Sequence, residues 1–329
     1  MKIFKIMLPV IALLAVGTGC ANKHDVNNNA DNNIKVAEQR NNEESLDAIN
    51  LIHYESCTNL NSEVACFSLG YAYDEGQGVK QDYSKAIFYY EKACNMNYGE
   101  GCFNLGILYD NGRGVKENTS KANIYYEKAC SQNVGAGCYN LGNSYDNGRG
   151  VKQNYPKANT YYEKACNLNI GSGCFNSGIL YDNGRGVKKN TSKANIYYEK
   201  ACNLNVGEGC FNLGFVYGKS KGVKQDYSKA KSYYEKACNL DIGDGCLNLG
   251  VLYVKGLGVR QDMSVAASYF EKSCNLKNNI ACNNLGISYE YGEGVRQNKT
   301  KAKEYYGKSC DLGNQEGCDN YRTLNEQGY

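Results

Sequence analysis

Residues 100–135 read EGCFNLGILYDNGRGVKENTSKANIYYEKACSQNVG, and residues 136–171 read AGCYNLGNSYDNGRGVKQNYPKANTYYEKACNLNIG. The pattern returns at a 36-residue step, from Gly101-Cys102-Phe103-Asn104-Leu105-Gly106 to Gly173-Cys174-Phe175-Asn176-Ser177-Gly178 and Gly245-Cys246-Leu247-Asn248-Leu249-Gly250. Full units fall at 64–99, 100–135, 136–171, 172–207, 208–243, 244–279 and 280–315. A half-unit at 46–63 is expected to cap the start, and another at 316–329 the end. A period of this length marks an array in which each unit contacts only its neighbours, so the 329 residues need not divide into conventional domains.

Within a unit the second half gives the clearer signal. In Ala122-Asn123-Ile124-Tyr125-Tyr126-Glu127-Lys128-Ala129-Cys130 the apolar or small residues are 122, 125, 126, 129 and 130, the stripe of an amphipathic helix. Asn118, or Asp82 in the first unit, stands where its cap belongs, and Pro156 falls in a first turn, where proline is tolerated. The first half predicts a helix from about Gly101 to Tyr109, ended by Asp110-Asn111-Gly112-Arg113-Gly114, whose glycines permit a reversal. Strand alternation is absent. The fold class is all-α: a right-handed α-solenoid of 36-residue helical hairpins.

Seventeen cysteines follow the same period. Setting Cys20 aside, seven pairs share a Cys-x7-Cys spacing: 94/102, 130/138, 166/174, 202/210, 238/246, 274/282 and 310/318; Cys57/Cys66 has one residue more. Cys130 could join Cys138 in the next unit or Cys102 in its own. The second scheme strands Cys57 and Cys318, whereas the first uses every thiol, so parity favours a staple at each step. Closing such a nine-residue loop contributes roughly 2.5 kcal/mol in the chain-entropy model. Zinc is disfavoured because separate two-cysteine sites lack four ligands. Structural disulfides belong to an oxidising compartment.

The N-terminus agrees. Lys2 and Lys5 precede the apolar run 6–16, which is short for a bilayer span, and Val16-Gly17-Thr18-Gly19-Cys20 resembles a bacterial lipoprotein processing box. Residues 1–20 read as a signal peptide. Either Cys20 carries a lipid or cleavage falls near Ala21, and both routes lead to a secreted or periplasmic protein, anchored to the outer membrane in the first case. Residues 21–45, rich in asparagine, cannot bury enough apolar surface to fold and are expected to form a flexible tether. Net charge is +3, from 37 basic and 34 acidic residues, which gives no reason to expect nucleic acid. His24 and His53 are too few for most catalytic metal centres, so neither metal nor cofactor is expected. The expected state is a monomer.

Leu105, Gly106, Tyr109, Gly112, Gly114, Val115, Lys121, Ala122, Tyr125, Tyr126, Ala129 and Cys130 together resemble the Sel-one-like repeat, a tetratricopeptide relative. With the recurring cysteine pair, the chain from about 46 to 329 is similar to the Helicobacter cysteine-rich proteins. That resemblance implies penicillin binding and slow beta-lactamase activity. The residues themselves support it thinly. Ser228-Lys229-Ala230-Lys231 matches Ser-x-x-Lys in a slot that holds Ser84, Ser120, Ser192 and Ser264 without the lysine. Tyr-Asp-Asn at 109–111, 145–147 and 181–183 resembles the Tyr-x-Asn element of some serine enzymes, but no Lys-Thr-Gly occurs. These serines read more simply as helix starts and the Asp-Asn-Gly runs as turns, so no catalytic residue is assigned.

A binding reading has firmer footing. With Cys102 at zero on a helical wheel, Leu105, Gly106 and Tyr109 lie within about 60°, and Asn104 points nearly opposite. Asn104, Asn140, Asn176, Asn212, Asn248 and Asn284 recur in this slot, with Ser68 in the first unit. Carboxamides in a row can pair with an extended backbone whatever its sequence, as tetratricopeptide grooves do by resemblance. The competing reading makes them braces between units. The neighbouring slot varies, through Tyr71, Ile107, Asn143, Ile179, Phe215, Val251 and Ile287, as a groove that reads different side chains would. The expected partner is a peptide, a peptidoglycan fragment or a protein, with beta-lactams as the ligands that the resemblance adds. Membrane contact is expected only through the lipid.

Overall fold

The structure, a computed structural model, describes residues 47–329. The signal peptide, Cys20 and the 21–45 tether lie outside the described residues. Those described form sixteen helices and no strand, from Ala48–Asn59 to Gln315–Glu326. Each helix packs on the one before and the one after it, which makes the chain an α-solenoid.

Capping follows the sequence closely. Asn118 Oδ1 accepts from Lys121 N at 2.9 Å to open Thr119–Ser131, and Asp82 Oδ1 accepts from Ser84 N and Lys85 N. Pro156 lies in the first turn of Tyr155–Asn167. The first helix is longer than the expected 101–109, running Gly99–Asn111, because the chain reverses only where Gly112 takes a left-handed φ of 64°. Asp110 and Asn111 are therefore helical, not part of the turn. Between units the second helix ends in two residues, the latter left-handed: Asn97, Asn133, Asn169 and Asn205 all have positive φ.

Glycine sets the distance between the helices of a hairpin. A Cβ on Gly142 would sit 2.6 Å from the Tyr162 ring, and Gly106 and Gly178 meet Tyr126 and Tyr198 in the same way. The ring fills the hairpin centre, with Tyr90 and Tyr162 fully buried. Beneath it a leucine recurs at 69, 105, 141, 213, 249 and 285, at most 2% exposed; the fourth unit has Ser177 there, its buried hydroxyl without a partner. The other tyrosine of each pair stacks on the first helix of its own hairpin, as Tyr161 does on Tyr145 at 5.7 Å. Both rings thus pack within the hairpin, and their hydroxyls reach the neighbours: Tyr161 donates to Glu127 of the preceding unit at 3.2 Å.

Every step is stapled as parity favours. Cys94–Cys102, Cys130–Cys138, Cys166–Cys174, Cys202–Cys210, Cys238–Cys246, Cys274–Cys282 and Cys310–Cys318 are bonded, and so is Cys57–Cys66. Each joins the end of one second helix to the start of the next first helix. Eight disulfides point to an oxidising, extracellular or periplasmic environment. Among the described residues no helix is long and apolar enough to cross a membrane.

Candidate functional site

The first helices lie in successive units with their variable faces on one side of the array. Asn104, Asn140, Asn176, Asn212, Asn248 and Asn284 are all half-buried on that side. Their surroundings come from three elements. The asparagine projects from its own first helix, the buried tyrosine of the preceding unit approaches from behind, and the variable slot of the preceding unit lies beside it.

The third and fourth units show the geometry. The Tyr162 hydroxyl donates to Asn143 Oδ1 at 2.7 Å, and Asn176 Nδ2 lies 3.5 Å from that oxygen. The Asn176 carboxamide also lies beside the Tyr162 hydroxyl, and Asn104, Asn140 and Asn212 lie beside those of Tyr90, Tyr126 and Tyr198. Burial first, and then nearby aspartates, push these phenols up, Tyr198 to about 12, so they remain protonated donors. Among the described residues the side-chain oxygens of Asn104, Asn140, Asn176 and Asn212 accept no hydrogen bond. Asn248 instead donates to Asp244 O of its own helix at 2.8 Å. The row thus lies against the preceding unit on one side and keeps an acceptor open on the other.

A second column escaped the reading of the sequence. Asp74, Asp110, Asp146 and Asp182 share one slot, succeeded by Gly218, Val254 and Glu290. Arg149 reaches Asp110 at 3.3 Å and Arg185 reaches Asp146 at 3.6 Å, each across one unit. Burial raises the Asp110 carboxyl above the usual range, and Arg149 opposes that. The same 36-residue step that revealed the asparagines also marks these aspartates, and it extends the asparagine row to Asn320, whose Nδ2 donates to Asn283 Oδ1 at 3.0 Å. This slot therefore changes along the array: acidic through the fourth unit, uncharged at Gly218 and Val254, and acidic again at Glu290.

Ser228 and Lys231 do not form a serine–base pair. Lys231 Nζ pairs with Glu235 at 3.3 Å, and that hydrogen bond and charge raise its pKa, the reverse of what a general base requires. Lys229, the other lysine of the motif, covers the Tyr217 ring at 5.1 Å. Ser228→Ala is expected to leave any turnover of a chromogenic beta-lactam within about twofold of the starting protein, because losing a true nucleophile costs several powers of ten. A collapse of turnover in the folded variant, measured beside the parent, would make Ser228 a nucleophile.

The Sel1 repeat family matches this chain seven times, at residues 64–98, 99–134, 135–170, 171–206, 207–242, 243–278 and 279–314. Among solved structures the chain is similar to a protective antigen of uropathogenic Escherichia coli with an SLR fold, at 29% identity and a TM-score of 0.79, over 84% of this chain and 59% of that one. The chain thus spans 59% of the length of that antigen. A Sel1 repeat protein of Oxalobacter formigenes shares the fold, at 24% identity and a TM-score of 0.70, over 84% of this chain and 80% of that one. Helicobacter pylori cysteine-rich protein B is 38% identical over 41% of this chain and 98% of its own, with a TM-score of 0.34. No curated protein matches the chain in sequence.

Proposed function

Since the chain belongs to the Sel1 repeat family, we propose that it is an exported binding scaffold whose asparagine row takes an extended peptide. The carrying observation is the seating of Asn104, Asn140, Asn176 and Asn212 beside tyrosine hydroxyls, with each carboxamide oxygen left open. Side chains held in place lose little freedom on binding, so the hydrogen bonds they make cost less entropy. A backbone N–H aimed at each open oxygen would be read regardless of sequence, while Asn143, Ile179 and Phe215 would select side chains; Ile107, in the same slot, is buried in the core. The peptide of a cell-wall fragment and an extended segment of a protein both offer this chemistry. Export rests on the disulfides and on the N-terminal signal; attachment of a lipid at Cys20 rests on the sequence alone.

The test is a double substitution, Asn176→Ala with Asn212→Ala, read by titration calorimetry against peptidoglycan stem peptides and an extended peptide library, beside thermal melting. Binding is expected to weaken by about 1–3 kcal/mol, as unmade hydrogen bonds on the ligand cost. The tyrosine contacts are lost as well, so stability should fall by about 1 kcal/mol. A sharp fall in melting with unchanged affinity would reduce the asparagines to braces between units.

A further inference from the structure

The short loops that join the two helices of each hairpin all lie at one end of the hairpins. Each loop rests on the start of the preceding unit's second helix: Asn123 Nδ2 donates to Arg149 O at 2.8 Å, and Ser120 Oγ to Gly150 O at 2.9 Å. A Cβ on Gly186 would strike Tyr155 and Pro156 of the preceding unit. These contacts set the loops side by side as one continuous edge.

That edge concentrates charge which the whole-chain balance conceals. The second to fifth of the seven loops, 112–118, 148–154, 184–190 and 220–226, hold nine lysines and arginines and two acids, Glu117 and Asp226. Their net charge is thus +7 on 28 residues, against +3 for all 329, so the remainder of the chain is net acidic. Asp226 is also engaged as a helix cap, accepting from Lys229 N at 2.9 Å. At the opposite ends of the hairpins the charges are mixed, with Glu100, Glu208, Asp241 and Asp244 standing among Lys128, Lys164, Lys200 and Lys236. Along the basic edge Lys116, Lys152, Lys188 and Lys224 recur once per unit, all exposed. Among the described residues none of the four makes an ion pair or a side-chain hydrogen bond. Arg149 and Arg185 stand beside them, held out by Asp110 and Asp146, and Arg185 lies 4.3 Å over the Tyr155 ring.

We propose that this loop edge binds a linear acidic polysaccharide, sulfated or carboxylated, outside the cytoplasm. A row of exposed cations repeating once per unit matches a polymer whose anionic groups also repeat, and it needs no pocket. Single-stranded nucleic acid is disfavoured because it also requires free aromatic faces for its bases. Here Tyr109, Tyr145, Tyr181 and Tyr217 are each already stacked on a tyrosine and covered by a lysine ammonium at 4.2–5.1 Å. An anionic bilayer is disfavoured because no exposed large hydrophobic side chain lies in these loops to enter it. Lys116, Lys152, Lys188 and Lys224 make no hydrogen bond or ion pair with the asparagine row, and the loop variant leaves Arg149 and Arg185 in place, so either reading can fail without the other.

The probe is heparin, titrated into the full chain across a salt series. One variant replaces Lys116, Lys152, Lys188 and Lys224 with glutamine. A control replaces Lys128, Lys164, Lys200 and Lys236, removing the same charge from the far ends of the second helices. The loop variant should bind heparin at least tenfold more weakly, with the slope of log affinity on log salt reduced by about three. The control should stay within about threefold. Should the quadruple variant lose its helical circular dichroism, the pair Lys152→Gln and Lys188→Gln carries the same comparison. Absence of binding by the parent at physiological salt would overturn the proposal, and so would equal losses in both variants. Tighter, lysine-dependent binding to phosphatidylglycerol vesicles or to oligodeoxythymidine would also overturn it, by assigning the edge to another class of partner.

Discussion

Reductant added to the native protein is expected to open Cys310–Cys318 first and to leave the other seven disulfides intact until the array unfolds. The fourteen cysteines from Cys57 to Cys282 are at most 6% exposed, whereas Cys310 and Cys318 are half-buried at the end of the chain. Exchange requires a thiolate to reach a sulfur in line, so burial protects the inner seven kinetically. Once the array is opened by denaturant and reduced, the loss is large. Each bond closes a loop worth about 2.5 kcal/mol in the chain-entropy model, so eight amount to about 20 kcal/mol. Net stabilities of folded domains are about 5–15 kcal/mol. The fully reduced chain is therefore expected to lose most of its helical circular dichroism at 37 °C, and reoxidation should restore it. Timed alkylation with mass spectrometry reads the order of opening. Simultaneous loss of all eight bonds under native conditions, or a fully reduced chain that keeps its helices, would contradict this account.

Gly142→Ala should cost about 1–3 kcal/mol, while Gly218→Ala should gain about 0.5–1 kcal/mol. Both glycines lie within first helices, where alanine is intrinsically the better residue. They differ in what a methyl group meets. At Gly142 it would lie 2.6 Å from the Tyr162 ring, which is fully buried and cannot retreat without moving the helices apart. At Gly218 the nearest atoms stand at 3.7 and 3.8 Å, in ordinary contact distance. Chemical denaturation of the two variants beside the parent decides the matter. Equal effects at both positions would mean that the tyrosine–glycine contact does not set the spacing of the hairpins.

Much of the architecture was legible because the forces that build it act over a few residues. The stripe at 122, 125, 126, 129 and 130, the caps at Asp82 and Asn118 and the left-handed glycine at 112 are all decided within one or two helical turns. The disulfide partners could be read because Cys130 and Cys138 are separated by a single tight turn, and because only one pairing leaves no thiol over. The asparagine slot was visible as a period. Its surroundings were not.

What the sequence determined by itself, then, was the repeat, the hairpin in each unit and the staple at each step, since repetition turns a local pattern into a global one. Only the tertiary structure decided what happens between units. The rotation from one hairpin to the next, a property of side-chain packing that no single unit contains, sets which slots meet. It brings the Tyr162 hydroxyl onto Asn143 and Asn176, residues 19 before and 14 after it in the chain. It lays Arg149 against Asp110, 39 residues earlier. The same stacking gathers lysines spaced 36 residues apart onto one edge, which a net charge of +3 spread along a sequence cannot show. Composition sums charges over the whole chain, whereas electrostatic attraction depends on where they stand within a screening length of about 8–10 Å.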